Sequence, residues 1–166
     1  MKSVDLVRMM LDMSAQFTLN LIDDMKDAPL TFPTPRGGNH PLWVLGHLAW
    51  TEGEVIQHYM LGNPNPVGHW REVFADGSEP VADASKYPPY DELLKTFQSL
   101  RAKTLDVLAS MSDGDLDKPS RNPRPGYEQI LGTNGGCLMI IVFNTLTHRG
   151  QVADARRALG RSRLAT

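Results

Sequence analysis

Along the first segment of the chain, apolar or small residues recur at alternating three- and four-residue steps: Val7, Met10, Ser14, Phe17, Leu21 and Met25. Asp5, Arg8, Asp12, Gln16 and Asp23 fall on the other side. This period predicts an amphipathic helix over about 3–26. Pro29, Pro33, Pro35 and two glycines then break it. A second helix is expected over about 40–61, with Asn39 as its cap, Pro41 in its first turn, and Gly62-Asn63-Pro64 as its stop. Within it Trp43, His47, Thr51, Glu54 and His58 form one stripe, since offsets of four, seven and eleven return to nearly the same angle.

Prolines and glycines from Gly62 to Tyr87 mark a long crossover, with Trp70 and Phe74 as its aromatic cluster. Pro88-Pro89 leads into a third helix over about 89–111, with Leu94, Phe97, Arg101, Thr104, Leu108 and Met111 inward. Arg101 is the charged member of that stripe. After a loop rich in Asp, Pro and Gly, a long helix is expected over about 134–159, capped by Thr133 or Asn134 and stopped at Gly160. Its stretch from Cys137 to Phe143 is apolar on every side, so coverage all round is expected. Gly46 and Gly150 are read as points of close helix contact. No useful strand signal and no internal repeat appear, so the economical fold is all-α: a four-helix bundle with long crossover loops, formed by the 166 residues as one domain.

Composition narrows the function. A net charge of -2 and a pI near 6.2 carry no electrostatic footprint for nucleic acid. One cysteine excludes an internal disulfide and fits a reducing cytoplasm. Asp5 and Arg8 interrupt the N-terminal apolar pattern, so no signal peptide is expected, and no run reaches the length needed to cross a bilayer.

Asn144 and His148 stand one turn apart on one face, where the fourth helix leaves its apolar zone. Bundles build sites from polar side chains on facing helices, which makes His47, Asn144 and His148 the candidate group. Two imidazoles with a third donor are what zinc, nickel or iron needs. Glu54 and His58 lie about 10 and 16 Å along the axis from His47, too far to share one ion with it unaided. Trp43, Glu54, Arg101 and Gln151 are read as pocket or substrate positions. Arg101 and Arg149 are candidates for an anionic cofactor or substrate carboxylate. Cys137 reads as an inert buried thiol.

The segments NHPLWVLGHLAWTE and THRGQVADARRALG, with YPPYDELL opening the third helix, resemble the DinB/YfiT-like superfamily, and the likeness covers nearly the whole chain. That resemblance implies a four-helix bundle whose metal site has three histidines. His47 matches the one in the GHL of the second helix, and His148 matches the second of an H-x-x-x-H-R-G-Q motif. Asn144 stands where the family has the other histidine. The resemblance also implies a metal-dependent transferase or isomerase using a low-molecular-weight thiol. Glu52, Glu54 or His69 are alternatives for the missing donor. Two readings follow: a metal-dependent transferase or hydrolase, and a catalytically silent small-molecule binding or stress protein that lost its metal with Asn144. A homodimer is expected, with the apolar belt of the fourth helix and the methionine-rich first helix as its interface.

Overall fold

The computed structural model describes residues 1–31 and 38–164. The expected breaks at Pro33 and Pro35 lie outside the described residues. Four long helices make up the bundle: α1 (Ser3–Asp23), α2 (Pro41–Glu52), α3 (Tyr90–Ala109) and α4 (Asn134–Ala158). Among the described residues there is no strand, only an isolated bridge between Pro119 and Thr133. Short helical turns occupy both long connections, at Gly68–Trp70, Arg71–Phe74 and Ala84–Lys86 in the first and at Asp113–Leu116 and Glu128–Leu131 in the second.

The start of α1 borrows its cap from the second connection, where the Asp113 carboxylate accepts from the N–H groups of Ser3 and Val4 at 3.1 and 3.0 Å. Its buried face differs from the expected stripe. Ser14, Leu21 and Met25 are buried, but Leu11, Ala15, Thr18 and Ile22 complete the face, while Met10 is exposed and Val7 and Phe17 are half-buried. Small residues win because they bring α1 close to α4, near enough for the Thr18 hydroxyl to approach the Thr145 carbonyl at 3.4 Å. On α3, Leu93 and Leu100 join Phe97, Arg101, Thr104 and Leu108 inside, whereas Leu94 and Met111 are only half-buried.

The cap of α2 is His40 instead of Asn39. Its Nδ1 accepts from the Trp43 N–H at 3.0 Å, and Pro41 occupies the first turn, where a missing donor costs nothing. Beyond Glu52 the rod continues as Gly53–Met60 with wider i→i+5 bonding, seen in the Leu61 N–H to Ile56 carbonyl bond of 3.0 Å. Wider winding turns each residue through less than the α-helical 100°, so the predicted stripe does not run straight to His58. His58 instead meets Asn122 at 2.9 Å. Asn65 sits at the transition: its Nδ2 donates to the Trp50 carbonyl at 3.3 Å and to Glu54 at 3.0 Å. A Cβ on Gly53 would stand 2.2 Å from the Asn65 Oδ1, so only glycine admits this side chain.

Two apolar clusters fill the bundle, one around Trp43, Leu45, Phe74 and Phe97, the other around Leu11, Ile56, Leu138 and Ile141. Between them Arg101 reaches across four helices. Its Nε and Nη2 donate to the two Glu52 carboxylate oxygens at 2.9 Å each, its Nη1 donates to the Leu11 carbonyl at 2.6 Å, and its Nη2 meets Thr145 at 3.5 Å. The expected all-round cover of α4 is incomplete within this chain: Met139 is 43% exposed, Phe143 53% and Leu146 43%. Leu6, Met9, Met10 and Met13 are also exposed on α1. Gly150 has open space where a Cβ would go, so it makes no close contact; Gly46 does, with a Cβ position 2.2 Å from the Phe74 ring.

Candidate functional site

Phe74 drops onto Gly46 and carries its carbonyl to the next residue of α2. His47 Nδ1 donates to that carbonyl at 2.7 Å, which fixes the tautomer and leaves the Nε2 lone pair unprotonated. The Thr51 hydroxyl and the Asn144 amide nitrogen both approach Nε2 at 3.3 Å. Trp43 stacks on the His47 ring with centroids 4.6 Å apart and planes 11° from parallel, and its own indole N–H is held by the Val73 carbonyl at 2.9 Å. The crossover therefore positions both rings.

His148 comes from α4 and meets His47 edge to face, with centroids 4.6 Å apart and planes at 61°. Its Nδ1 donates to Gln151 Oε1 at 2.7 Å, and Gln151 in turn accepts from Asn39 at 3.0 Å. The His148 Nε2 has no hydrogen-bond partner among the described residues. The two imidazoles are thus anchored alike, each with its Nδ1–H on an acceptor and its lone pair on Nε2, which Thr51 and Asn144 approach on His47 and nothing described approaches on His148.

Burial holds the His47 imidazole down to about 4, helped by the neighbouring His148 and opposed by the Phe74 carbonyl and Asp76. Burial likewise lowers His148, against the opposing effects of Gln151 and Asp76. Both rings are neutral at pH 7, the form that binds metal.

Beside this pair lies a pocket of about 220 Å³ that Thr51 and Asn144 share with it. Trp50, Tyr59, Ile140 and Tyr127 give it apolar and aromatic walls, and Glu54 and the Asp76–Arg124 pair give it charge. Asp76 and Arg124 are 2.9 Å apart, and the Arg124 guanidinium lies 4.4 Å from the Tyr127 ring centroid. The Trp50 indole N–H is buried without a partner among the described residues.

Of the positions singled out in the sequence, His47, Asn144, His148, Trp43 and Gln151 are brought together, and Glu54 lines the adjoining pocket. Arg101 is elsewhere: its guanidinium is consumed by Glu52, so neither member of that pair faces the pocket. His69 is exposed and packs on Trp70, outside the pocket. Burial pushes the Cys137 thiol up to about 11, which makes it inert at neutral pH. Asp76, Arg124 and Tyr127 carried no sequence signal, and Asn39 and Phe74, read as a helix cap and as part of an aromatic cluster, gave no sign of the site, because each arrives from a connection whose path only the packing sets.

The donor set fits a divalent ion in part. Ring nitrogens bound at about 2.0–2.1 Å to one ion hold their centroids roughly 5 Å apart, close to the observed separation. No group of three His, Cys, Asp or Glu side chains able to hold a metal exists among the described residues, and the polar group nearest the two imidazoles is the Asn144 amide. As oriented, Asn144 turns its nitrogen toward His47, and its oxygen reaches an ion only after the amide rotates.

The fold and sequence have relatives. A conserved protein from Enterococcus faecalis, known from its crystal structure, superposes with a TM-score of 0.71 at 20% identity, covering 97% of this chain and 99% of that one. No curated protein matches the chain. The sequence model of the DinB superfamily matches residues 10–152, and the chain belongs to that superfamily.

Proposed function

We propose that His47 and His148 hold a divalent ion, zinc, nickel or iron, with the Asn144 amide oxygen as third donor. The chain then works as a metal-dependent transferase or hydrolase on a small electrophilic substrate, with a low-molecular-weight thiol as second substrate for transfer. The observation carrying this reading is the matched anchoring of the two neutral rings, which leaves both Nε2 lone pairs uncommitted to protons. When bound, the ion supplies a lowered pKa for a coordinated water or thiol. The chain supplies the rest. Trp43 keeps the His47 ring from rotating, the Gln151–Asn39 chain does the same for His148, and the Trp50 N–H offers a donor to a substrate oxygen. Aromatic walls exclude water from the pocket, which strengthens each polar contact inside it.

A second reading draws on the Asn144 amide. Its N–H faces the His47 lone pair, and a site satisfied in that way binds a small molecule without metal, as a catalytically silent stress or carrier protein. Calorimetric titration of the untagged protein with zinc separates the two. One ion per chain, lost in His148→Ala, supports the metal reading; no uptake by the unmutated protein rejects it and leaves the silent one.

We also infer a homodimer, with a second copy covering Met139, Phe143 and Leu146 of α4 and the exposed methionines of α1, since a belt this apolar is rarely left in water. Sedimentation equilibrium at micromolar concentration is expected to give twice the chain mass for the native protein and a monomer for Phe143→Glu.

A further inference from the structure

The far end of α4 carries a second pocket that shares no lining residue with the histidine site. It holds about 390 Å³, and five arginines line it: Arg149, Arg156, Arg157, Arg161 and Arg163. Among the described residues no carboxylate does. Five of the 17 lysines and arginines of a chain with net charge -2 therefore gather around one cavity.

Part of this charge is answered nearby. Asp24 accepts from Arg156 at 2.9 and 2.7 Å and from Arg161 at 3.4 Å, Asp27 pairs with Arg161, and Asp154 takes Arg157 at 2.6 Å. Arg149 and Arg163 form no ion pair among the described residues. The Arg149 Nε is buried with no hydrogen-bond partner among the described residues, and its guanidinium lies 6.0 Å from the Phe17 ring centroid. Arg149 as a whole is half-buried, but a buried N–H left unmet is costly, and this one is met when a ligand oxygen arrives.

Arginines in the last turn of a helix are accounted for by the exposed carbonyls and dipole there, and Arg156 and Arg157 fit that role. Arg149 does not. It precedes Ala158 by about 13 Å along the axis, beyond the reach of the helix end. Next to His148 in sequence, it points about 100° away around the helix, toward α1.

We propose that this pocket binds a phosphate-bearing small molecule. Two unpaired guanidiniums match the charge of a phosphate monoester, near -2 at neutral pH, and guanidinium forks suit its oxygens. Leu21, Ala153 and Leu164 line the same cavity and give an apolar remainder of the ligand its place. Pyrophosphate titrated calorimetrically into the full chain at low salt is the probe. One-to-one binding is expected, weakened at least tenfold in Arg149→Gln/Arg163→Gln, while zinc uptake stays as in the native protein. Arg163→Gln alone, in the tail and away from the core, is expected to weaken binding several-fold without altering the circular dichroism spectrum. Absence of binding at millimolar pyrophosphate overturns the proposal, as does equal binding by the double variant with its fold intact. Association with phosphatidic acid vesicles in the absence of pyrophosphate binding also overturns it, in favour of a lipid headgroup.

Discussion

Glu52 and His47 lie five residues apart on α2, and each anchors a buried polar cluster. Around Glu52 the polar groups are answered within the protein: both carboxylate oxygens accept from Arg101, whose Nη1 takes the Leu11 carbonyl. Around His47 the accounts stay open. One nitrogen of each ring is anchored, His47 Nε2 is met only at 3.3 Å by Thr51 and Asn144, and His148 Nε2 and the Trp50 N–H have no partner among the described residues. A closed cluster holds helices together, whereas an open one has bonding capacity left for a ligand. Burial alone does not tell the two apart, since Arg101 and His148 are 5% and 8% exposed. The count of unmet donors and acceptors does.

Cutting one partner from each cluster is the strongest test of this contrast. Arg101→Ala leaves the Glu52 carboxylate charged at 1% exposure with no counter-ion, which is expected to cost about 3–5 kcal/mol. His148→Ala removes one hydrogen bond and the ring's packing on His47 and Trp43 but strands no charge, and is expected to cost about 2 kcal/mol. Urea denaturation of the two variants should show this difference. Arg101→Met combined with Glu52→Leu should recover most of the loss, because it removes both charges together. Equal costs for Arg101→Ala and His148→Ala would erase the distinction.

The closed cluster was half legible in the sequence. Arg101 sits inside an apolar stripe, which announces a buried charge, but Glu52 looks like any helix-surface acid until α3 is laid against α2. The open cluster was more legible, because α-helical spacing puts Asn144 and His148 on one face and the four-residue step from Trp43 to His47 does the same on α2. That arithmetic failed past Glu52. The turn to i→i+5 winding depends on Asn65, a loop residue that reaches the Trp50 carbonyl only because Gly53 has no side chain, and no local period encodes such a contact. The burial of α1 was misread in part for a related reason: close packing favoured Ala15 and Thr18, beside the expected Ser14, over the larger Met10 and Phe17.

Closing the open cluster is the next test. Asn144→His puts an imidazole where the amide now meets His47 Nε2, replacing an oxygen donor that must first rotate. Zinc affinity is expected to rise by about 10–100-fold, with one ion per chain, in calorimetry against a competing chelator. Unchanged affinity would show that position 144 takes no part in holding metal, and would favour the silent reading.

Taken per pH unit, the smallest effect separates the clusters by titration. The unfolded chain protonates His47 near 6.5, while the folded chain resists protonation until about pH 4 because burial and His148 disfavour the charge. Between those values the unfolded state binds more protons, so stability falls as the solution is acidified. The expected loss is about 1.4 kcal/mol for each pH unit below 6.5, levelling off near 4, with a further share from His148, whose imidazole is lowered in the same sense. Above 6.5 both rings are neutral in both states and contribute no slope. Asp24, lowered by Arg156, costs stability only below its ordinary 3.8, so its effect falls outside this window. Urea midpoints of chelator-treated protein between pH 7 and pH 4.5 measure the slope. His47→Gln should flatten it, and an unchanged slope would mean that the site's imidazoles are not the groups being held neutral.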